Sequence, residues 1–195
     1  MDAIRAILAL VPIKGLKIQQ LDIKGAYLNG ILKEKVYMRQ PKGYEDGTDR
    51  ICELIKTLYG LKQSGREWNI EFDMKIKEFG FKRICSDPCV YIKWDGSDIV
   101  ILTVWVDDIL LFTTSDKLME QTISYISSVW EVTILGEPTK IVGIEITQME
   151  DSITISQTKY VESILECEGL SGINSGGLYS PPRILRGVRA VRGLF

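Results

Sequence analysis

The fold of this chain is decided by the stretch Ile99-Val-Ile-Leu-Thr-Val-Trp-Val-Asp-Asp-Ile-Leu-Leu-Phe112. Its β-branched and aromatic residues are typical of buried strands. Asp107 and Asp108 interrupt the apolar run, and two carboxylates inside a buried strand are costly unless a cation or a charge partner offsets them. The stretch therefore predicts a β-hairpin with both aspartates at its tip, facing solvent or metal. Because Asp is also a common turn residue, this segment alone leaves a purely structural explanation open.

The composition narrows the chemistry that the chain can perform. Its 195 residues, with 45% hydrophobic and 26% charged residues, are typical of one globular domain. The absence of histidine excludes a self-contained Ser-His-Asp triad and His-ligated zinc. The four cysteines form no CxxC pair. Cys85 and Cys89 are close enough in sequence to approach each other, but without a signal peptide we expect reduced structural thiols. Catalysis would therefore depend on carboxylates and a divalent cation.

Charge and hydropathy indicate location and partners. No apolar run reaches membrane-spanning length, and the start of the chain is a poor signal peptide, so we expect an intracellular protein of the cytoplasm or nucleus, neither secreted nor membrane-bound. The net charge is −2, and the four arginines of residues 171–195 leave about −6 for the rest. A nucleic-acid groove would therefore be a local patch.

Periodicity and turn residues predict the secondary structure. The predicted strands are 17–23, 99–106 and 108–114, followed by a hairpin of 141–147 with 152–156, and residues 39–50 are predicted to form a loop. Helices are predicted at the start of the chain, at 64–80 with a capping box at Ser64, at 116–130 and at 157–168. The side chains expected to face inward are Ile4, Ile7, Leu8 and Val11 on the first helix, Trp68, Phe72, Ile76 and Phe79 on the second, and Tyr160, Val161, Ile164 and Leu165 on the last. Residues 169–195 form a Gly/Pro/Arg-rich tail that we expect to be disordered.

The order of these elements predicts an α+β fold. Taking 141–147 as the last strand, the order is the β-α-β-β-α-β of a split βαβ, or ferredoxin-like, antiparallel sheet. A right-handed crossover makes the first two strands parallel, and the third strand lies beside the first. Asp22 then converges with Asp107 and Asp108 at one edge of the sheet. Two magnesium ions, about 3.5–4 Å apart, would relieve the repulsion among three carboxylates.

Several sequence blocks resemble the reverse transcriptase of copia-type LTR retrotransposons over residues 1–168. These blocks are Leu21-Asp-Ile-Lys-Gly-Ala-Tyr-Leu-Asn-Gly30, Val36-Tyr-Met-Arg-Gln-Pro-Lys-Gly-Tyr44, Leu58-Tyr-Gly-Leu-Lys-Gln-Ser-Gly-Arg-Glu-Trp68, Trp105-Val-Asp-Asp108, Val142-Gly-Ile-Glu-Ile146 and Ile155-Ser-Gln-Thr-Lys-Tyr160. Their joint order and spacing are specific, whereas Val-Asp-Asp alone is a weak motif.

The resemblance implies a fold and an activity. The fold is a polymerase palm with partial fingers over 1–168, the fingers and thumb being incomplete. The activity is that of an RNA-directed DNA polymerase, which uses two Mg²⁺ ions, or Mn²⁺, to transfer a nucleotide from a dNTP to a primer 3′-hydroxyl. The implied partners are an RNA/DNA template-primer and dNTPs, and the chain would be part of a polyprotein with integrase and RNase H.

The resemblance also assigns roles to individual residues. It implies catalytic metal ligands at Asp22, Asp107 and Asp108, dNTP contacts at Tyr27, as an aromatic gate, and at Gln63, and primer contacts at Trp105, Val106 and Gly143. Tyr27 can also be explained as a core aromatic residue, and Gln63 as a polar loop residue before a helix cap. The primer-grip segment 141–146 is equally compatible with a plain strand.

The chain departs from the family pattern in places that leave other functions open. Trp105 stands where the family commonly has Tyr, and Ser64-Gly65 where it usually has Ala-Pro or Ser-Pro. We expect the basic fingers hairpin to lie before residue 1 and find no family counterpart for the tail. The alternative is therefore a catalytically dead, truncated relic or a nucleic-acid-binding module. A third interpretation, a metal-dependent enzyme such as a nucleotide cyclase, leaves the blocks at 36–44 and 58–68 unexplained.

Overall fold

A computed structural model describes residues 2–149, 152–169 and 183–186. The helices are α1 (Asp2–Lys14), α2 (Ser64–Glu78), α3 (Asp116–Val129) and α4 (Thr158–Cys167), with a short 3₁₀ helix at Ala26–Asn29. The strands are β1 (Lys17–Ile23), β2 (Ile31–Arg39), β3 (Ile51–Lys56), β4 (Lys82–Arg83), β5 (Val90–Asp95), β6 (Asp98–Trp105), β7 (Asp108–Thr113), β8 (Val132–Gly136), β9 (Lys140–Ile141), β10 (Ile144–Gln148), β11 (Ser152–Ser156) and β12 (Arg183–Arg186). The chain is thus mixed α and β with antiparallel sheets.

A six-stranded sheet of order β4-β5-β6-β7-β1-β8 forms the centre of the fold. Each strand is antiparallel to its neighbours, so that β1 and β6 run in the same direction. The hairpin predicted from the opening stretch is present as β6 and β7, and β7 pairs with β1.

The last strand of this sheet differs from the prediction. β8, and not the segment 141–147, follows α3 and pairs with β1. Four of the five residues of the edge strand β8 are apolar or glycine, and its three central residues are exposed. Because apolar and polar residues do not alternate along β8, its sequence does not indicate a strand with one buried face. Residues 141–147 instead contribute β9 and β10 to a second, four-stranded sheet of order β12-β11-β10-β9. β10 and β11 form the predicted hairpin, and residues 150–151 between them lie outside the described residues.

The central sheet has an apolar core on each face, which explains its long apolar run. Ile109 and Leu111 belong to the core formed with α2 and α3. Leu110 and Phe112 belong to the core formed with α1 and the second sheet. Because alternate side chains of a strand point to opposite faces, a strand buried on both sides needs an uninterrupted apolar sequence.

The first helices follow the predicted faces but not the predicted cap. The apolar face of α1 is buried, as are Trp68, Phe72 and Ile76 on α2. The prediction of a capping box at Ser64 is wrong. Gln63 is the N-cap residue without a side-chain cap bond, and Ser64 donates instead to the Leu58 carbonyl, at 2.5 Å. None of the helices in the described part of the chain is long and apolar enough to cross a membrane.

The orientation of α4 in the C-terminal region differs from the prediction. Tyr160, Val161 and Ile164 of α4 are exposed rather than inward, because none of the core clusters of the described residues includes α4. Within the predicted tail, Arg183–Arg186 form β12 and pair with β11. Residues 170–182 and 187–195, where disorder was expected, lie outside the described residues.

Gly30 marks a close approach between the chain after the 3₁₀ helix and α2. A Cβ atom at this position would lie 2.8 Å from Thr57 Oγ1, 3.0 Å from the backbone nitrogen of Trp68 and 3.2 Å from the carbonyl carbon of Glu67. Two of these neighbours are backbone atoms of a helix and cannot rotate away. The absence of a side chain at Gly30 therefore lets α2 pack against this segment.

We expect Gly30→Ala to lower the free energy of unfolding by about 1–3 kcal/mol, because overpacking displaces backbone. Urea denaturation of the variant and the parent measures the change. Gly65→Ala on α2 is the matched control, since its Cβ would lie 3.7 Å from Tyr27 Oη, an ordinary contact. Replacing a helical glycine should leave stability unchanged or raise it by up to about 1 kcal/mol. Equal stability of Gly30→Ala and the parent would contradict the close approach.

Candidate functional site

The hairpin turn between β6 and β7 carries the two adjacent aspartates. Val106 and Asp107 form its two central positions, between the paired residues Trp105 and Asp108. Val106 has φ = 60°, a left-handed conformation that is rare for β-branched residues. Such a conformation costs about 1–3 kcal/mol and persists only where the surroundings impose it.

Two hydrogen bonds hold the backbone of this turn. The indole Nε1 of Trp68, on α2, donates to the carbonyl oxygen of Val106 at 2.8 Å. The backbone nitrogen of Ile23, on β1, donates to the carbonyl oxygen of Asp107 at 2.9 Å. Trp68 is buried, and its ring contacts Phe72 and Trp130. The core therefore fixes a turn that its own sequence does not favour.

Asp22 lies directly opposite Asp108 in the pairing of β1 with β7. The bond from Ile23 nitrogen to Asp107 oxygen flanks the two residues, which makes them a non-hydrogen-bonded pair. In such pairs the Cα atoms are about 4.5 Å apart, and the side chains are on one face of the sheet and close together. The structure thus brings the early aspartate beside the second aspartate of the turn.

The predicted cluster of three carboxylates is less closely assembled than the Asp22–Asp108 pair. In the described ranges, no group of three or more His, Cys, Asp or Glu side chains is arranged to hold a metal ion. Asp107 is the sequence neighbour of the pair, and its charge acts on Asp108. The donor chemistry of the pair suits a divalent cation, because Mg²⁺ prefers carboxylate oxygens. Asp22 and Asp108 therefore fit one such ion, with Asp107 adjacent.

The electrostatics of Asp108 also favour a cation. Burial raises the pKa of the Asp108 carboxyl, and the charges of Asp107 and Asp22 raise this pKa further. A hydrogen bond from Gln20 Nε2 to Asp108 Oδ1, at 3.1 Å, opposes the shift. A bound cation would add a positive charge beside the Asp108 carboxylate and oppose these shifts. Sequence reasoning missed Gln20, because a lone glutamine in a strand belongs to no motif.

Tyr27 lies near the turn, on the 3₁₀ helix, and is half-buried. Its ring centroid is 4.9 Å from that of Tyr59, a 56% exposed residue that the sequence analysis did not identify. A cavity of about 230 Å³ is lined by Tyr27, Gly65, Trp68, Trp105 and Val106, among others. Tyr27 and the strained turn therefore share one mainly apolar cavity.

The other predicted contact residues occupy different positions. Gln63, the N-cap residue of α2, is half-buried and is not among the described residues that line this cavity. Trp105, by contrast, lines it and is 45% exposed. Gly143 forms the turn between β9 and β10 with Val142, and both have positive φ values of 77° and 45°. The sequence patterns did not indicate this second left-handed valine.

Comparison with known proteins identifies relatives of the chain. The family model described as reverse transcriptase (RNA-dependent DNA polymerase) matches residues 1–181. The chain is 37% identical over 171 residues to the Retrovirus-related Pol polyprotein from transposon TNT 1-94 of Nicotiana tabacum, a match that covers 85% of the chain and 13% of the polyprotein. It is 33% identical over 165 residues to that from transposon RE1 of Arabidopsis thaliana, covering 84% and 11%. It is 31% identical over 152 residues to the Transposon Ty1-DR1 Gag-Pol polyprotein of Saccharomyces cerevisiae, covering 76% and 8%.

We expect Asp22→Asn to raise the free energy of unfolding by about 0.2–1 kcal/mol in metal-free buffer, because it removes a like-charge cross-strand pair. Urea denaturation in the presence of a chelator measures the change. Asp49→Asn removes one acidic charge from an exposed loop residue and should change stability by less than about 0.5 kcal/mol. A less stable Asp22→Asn variant would show that the pair is not repulsive.

Proposed function

Because this chain belongs to the reverse transcriptase family of copia-type retrotransposon Pol polyproteins, we propose that it is the palm region of an RNA-directed DNA polymerase. The reaction is attack of a primer 3′-hydroxyl on the α-phosphate of a dNTP, with release of pyrophosphate. The observation that carries this proposal is the Asp22–Asp108 pair, placed beside the turn that presents Asp107.

The order of the central strands supports the palm assignment. β8, β1, β7 and β6 lie side by side in that order, with α2 and α3 on one face. In a split βαβ sheet the last strand flanks the first, and the middle hairpin lies on its other side. β8 takes the place of the last strand, and the β6–β7 hairpin carries the aspartates to the end of β1.

Asp22 and Asp108 are the residues that would hold a first Mg²⁺ or Mn²⁺ ion in this proposal, and the adjacent Asp107 would have to turn toward them to help hold a second. Such ions, when bound, neutralise phosphate charge and lower the pKa of the attacking hydroxyl. The chain itself fixes where the carboxylates lie, through the bonds of Trp68 and Ile23 to the turn. A turn that is held in advance needs no reorganisation during the reaction, which lowers the barrier.

The aromatic residues around the turn would orient the substrates. Tyr27 would stack under the incoming sugar and exclude a 2′-hydroxyl, with Tyr59 packing against it. Trp105 and Val106 would contact the primer end, as would Gly143 from the second sheet. Gln63 would contact the nucleotide from the start of α2.

We expect Asp107→Asn to reduce primer extension on an RNA template at least about 100-fold, because a metal ligand contributes several kcal/mol to the transition state. The assay measures labelled dNTP incorporation with Mg²⁺. Asp95→Asn, an exposed aspartate at the end of β5, is the matched control and should retain the parental rate. Incorporation by Asp107→Asn at the parental rate would disprove the assigned chemistry.

Two observations favour a second candidate, a relic or nucleic-acid-binding module without polymerase activity. Three carboxylates are not assembled for a metal within the described residues, and the apolar face of α4 is exposed there.

The chain also spans only 13% and 11% of the plant polyproteins that it matches, so other segments of such proteins can supply further contacts to the substrates. Protein contacts that hold the triphosphate and the template-primer duplex contribute to catalysis, because they keep the reacting groups in the reactive geometry.

We expect the flanking segments of the Nicotiana polyprotein, added in trans or fused, to raise primer extension at least about tenfold, because they would restore substrate positioning. The measurement is the extension rate of this chain with and without those segments. The same segments added to Asp107→Asn are the control and should give no increase. A folded complex that binds template-primer but remains inactive would favour the binding module.

A further inference from the structure

Gln20 connects the aspartate pair to the second sheet. It lies on β1, two residues before Asp22 and therefore on the same face, and it is only 8% exposed. Its Nε2 atom donates to Asp108 Oδ1 at 3.1 Å and to the carbonyl oxygen of Lys140 at 3.4 Å. A glutamine amide has two N–H groups, so both acceptors can be satisfied together.

The second acceptor belongs to the hairpin whose turn is Val142-Gly143. Lys140 is the first residue of β9, which pairs with β10 across that turn. Ile141 and Ile144, on either side of the turn, are buried in the core shared with α1. A displacement of this hairpin therefore acts on Gln20, and through it on the Asp108 carboxylate.

We propose that Gln20 is a positioning residue that couples the orientation of the Asp108 carboxylate to the β9–β10 hairpin. The inference rests on the proposed function, since it assigns a purpose to the orientation of a metal ligand. By bonding Oδ1, the amide holds the carboxylate against repulsion from Asp22 and leaves Oδ2 for a cation. Primer contact at Val142-Gly143 and ion binding at Asp22–Asp108 would then influence each other.

A purely structural role for Gln20 makes a different prediction. If its amide only satisfies two buried acceptors, its loss lowers stability but leaves the affinity for ions unchanged. If it orients a metal ligand, its loss weakens ion binding in a protein that is still folded, as is typical of residues that support metal ligands. Ion affinity therefore separates the two roles.

The test is Mn²⁺ binding measured by electron paramagnetic resonance, on the parent and on Gln20→Met, which keeps the side-chain length and removes both donors. We expect binding about tenfold weaker, or more, in Gln20→Met. Gln19→Met, on the opposite face of β1, is the matched control and should bind as the parent does. Asp108→Asn identifies the signal that belongs to this site, and thermal unfolding confirms that each variant is folded.

Hydrogen exchange of residues 140–146 measures the coupling itself. We expect Mg²⁺ to slow exchange of this hairpin in the parent and in Gln19→Met, but not in Gln20→Met. Gln20→Asn keeps the amide but is one methylene shorter, so it should also bind Mn²⁺ more weakly and lose the hairpin response to Mg²⁺. It replaces Gln20→Met in both experiments if the methionine variant does not fold. Parental Mn²⁺ affinity and a parental hairpin response in these variants would overturn the inference and leave the proposed function intact. A parent without Mn²⁺ binding that depends on Asp108 would overturn the proposed function itself.

Discussion

The antiparallel pairing of β1 with β7 determines where Asp22, Asp108 and Gln20 lie relative to one another. It sets Asp22 across from Asp108 at a non-hydrogen-bonded position, where side chains approach closely. The same pairing provides the Ile23 N–H that holds the Asp107 carbonyl, and it places Gln20 within reach of Asp108. A repulsive pair of carboxylates thereby lies at the ends of two inner strands of the sheet. Apolar packing on both faces of the sheet offsets the cost of this pair.

Helix α2 connects this pairing to the rest of the fold. Trp68 reaches the turn from the helix, while its ring packs with Phe72 and Trp130 in the core. The close approach at Gly30 brings the segment that follows Tyr27 against the backbone of the same helix. One helix therefore contacts both the turn with the aspartates and the segment with the aromatic residue. Their relative positions depend on core packing rather than on loop residues.

Much of the fold could be predicted because its signals are local. The run from Ile99 to Phe112 encodes a strand pair buried on both faces, and the stripe of Trp68, Phe72 and Ile76 encodes a helix. β8 could not be predicted, because an exposed edge strand has no inward-facing alternation. The outward face of α4 could not be predicted either, since amphipathic periodicity indicates which residues are apolar and not what covers them. Gln20 and Tyr59 were missed because their importance comes from neighbours distant in sequence.

The alternation of β7 between two cores has a consequence for folding fidelity. If β7 shifted by one residue against β1, Ile109 and Leu111 would exchange faces with Leu110 and Phe112. Both sets are apolar, so hydrophobic burial alone would barely distinguish the shifted pairing from the native one. The shift would, however, move the Asp108 carboxylate from the face it shares with Asp22 to the face of the core around α2, a face on which an unpaired charge is strongly disfavoured. Asp108 therefore disfavours a one-residue shift in the pairing of β7 with β1.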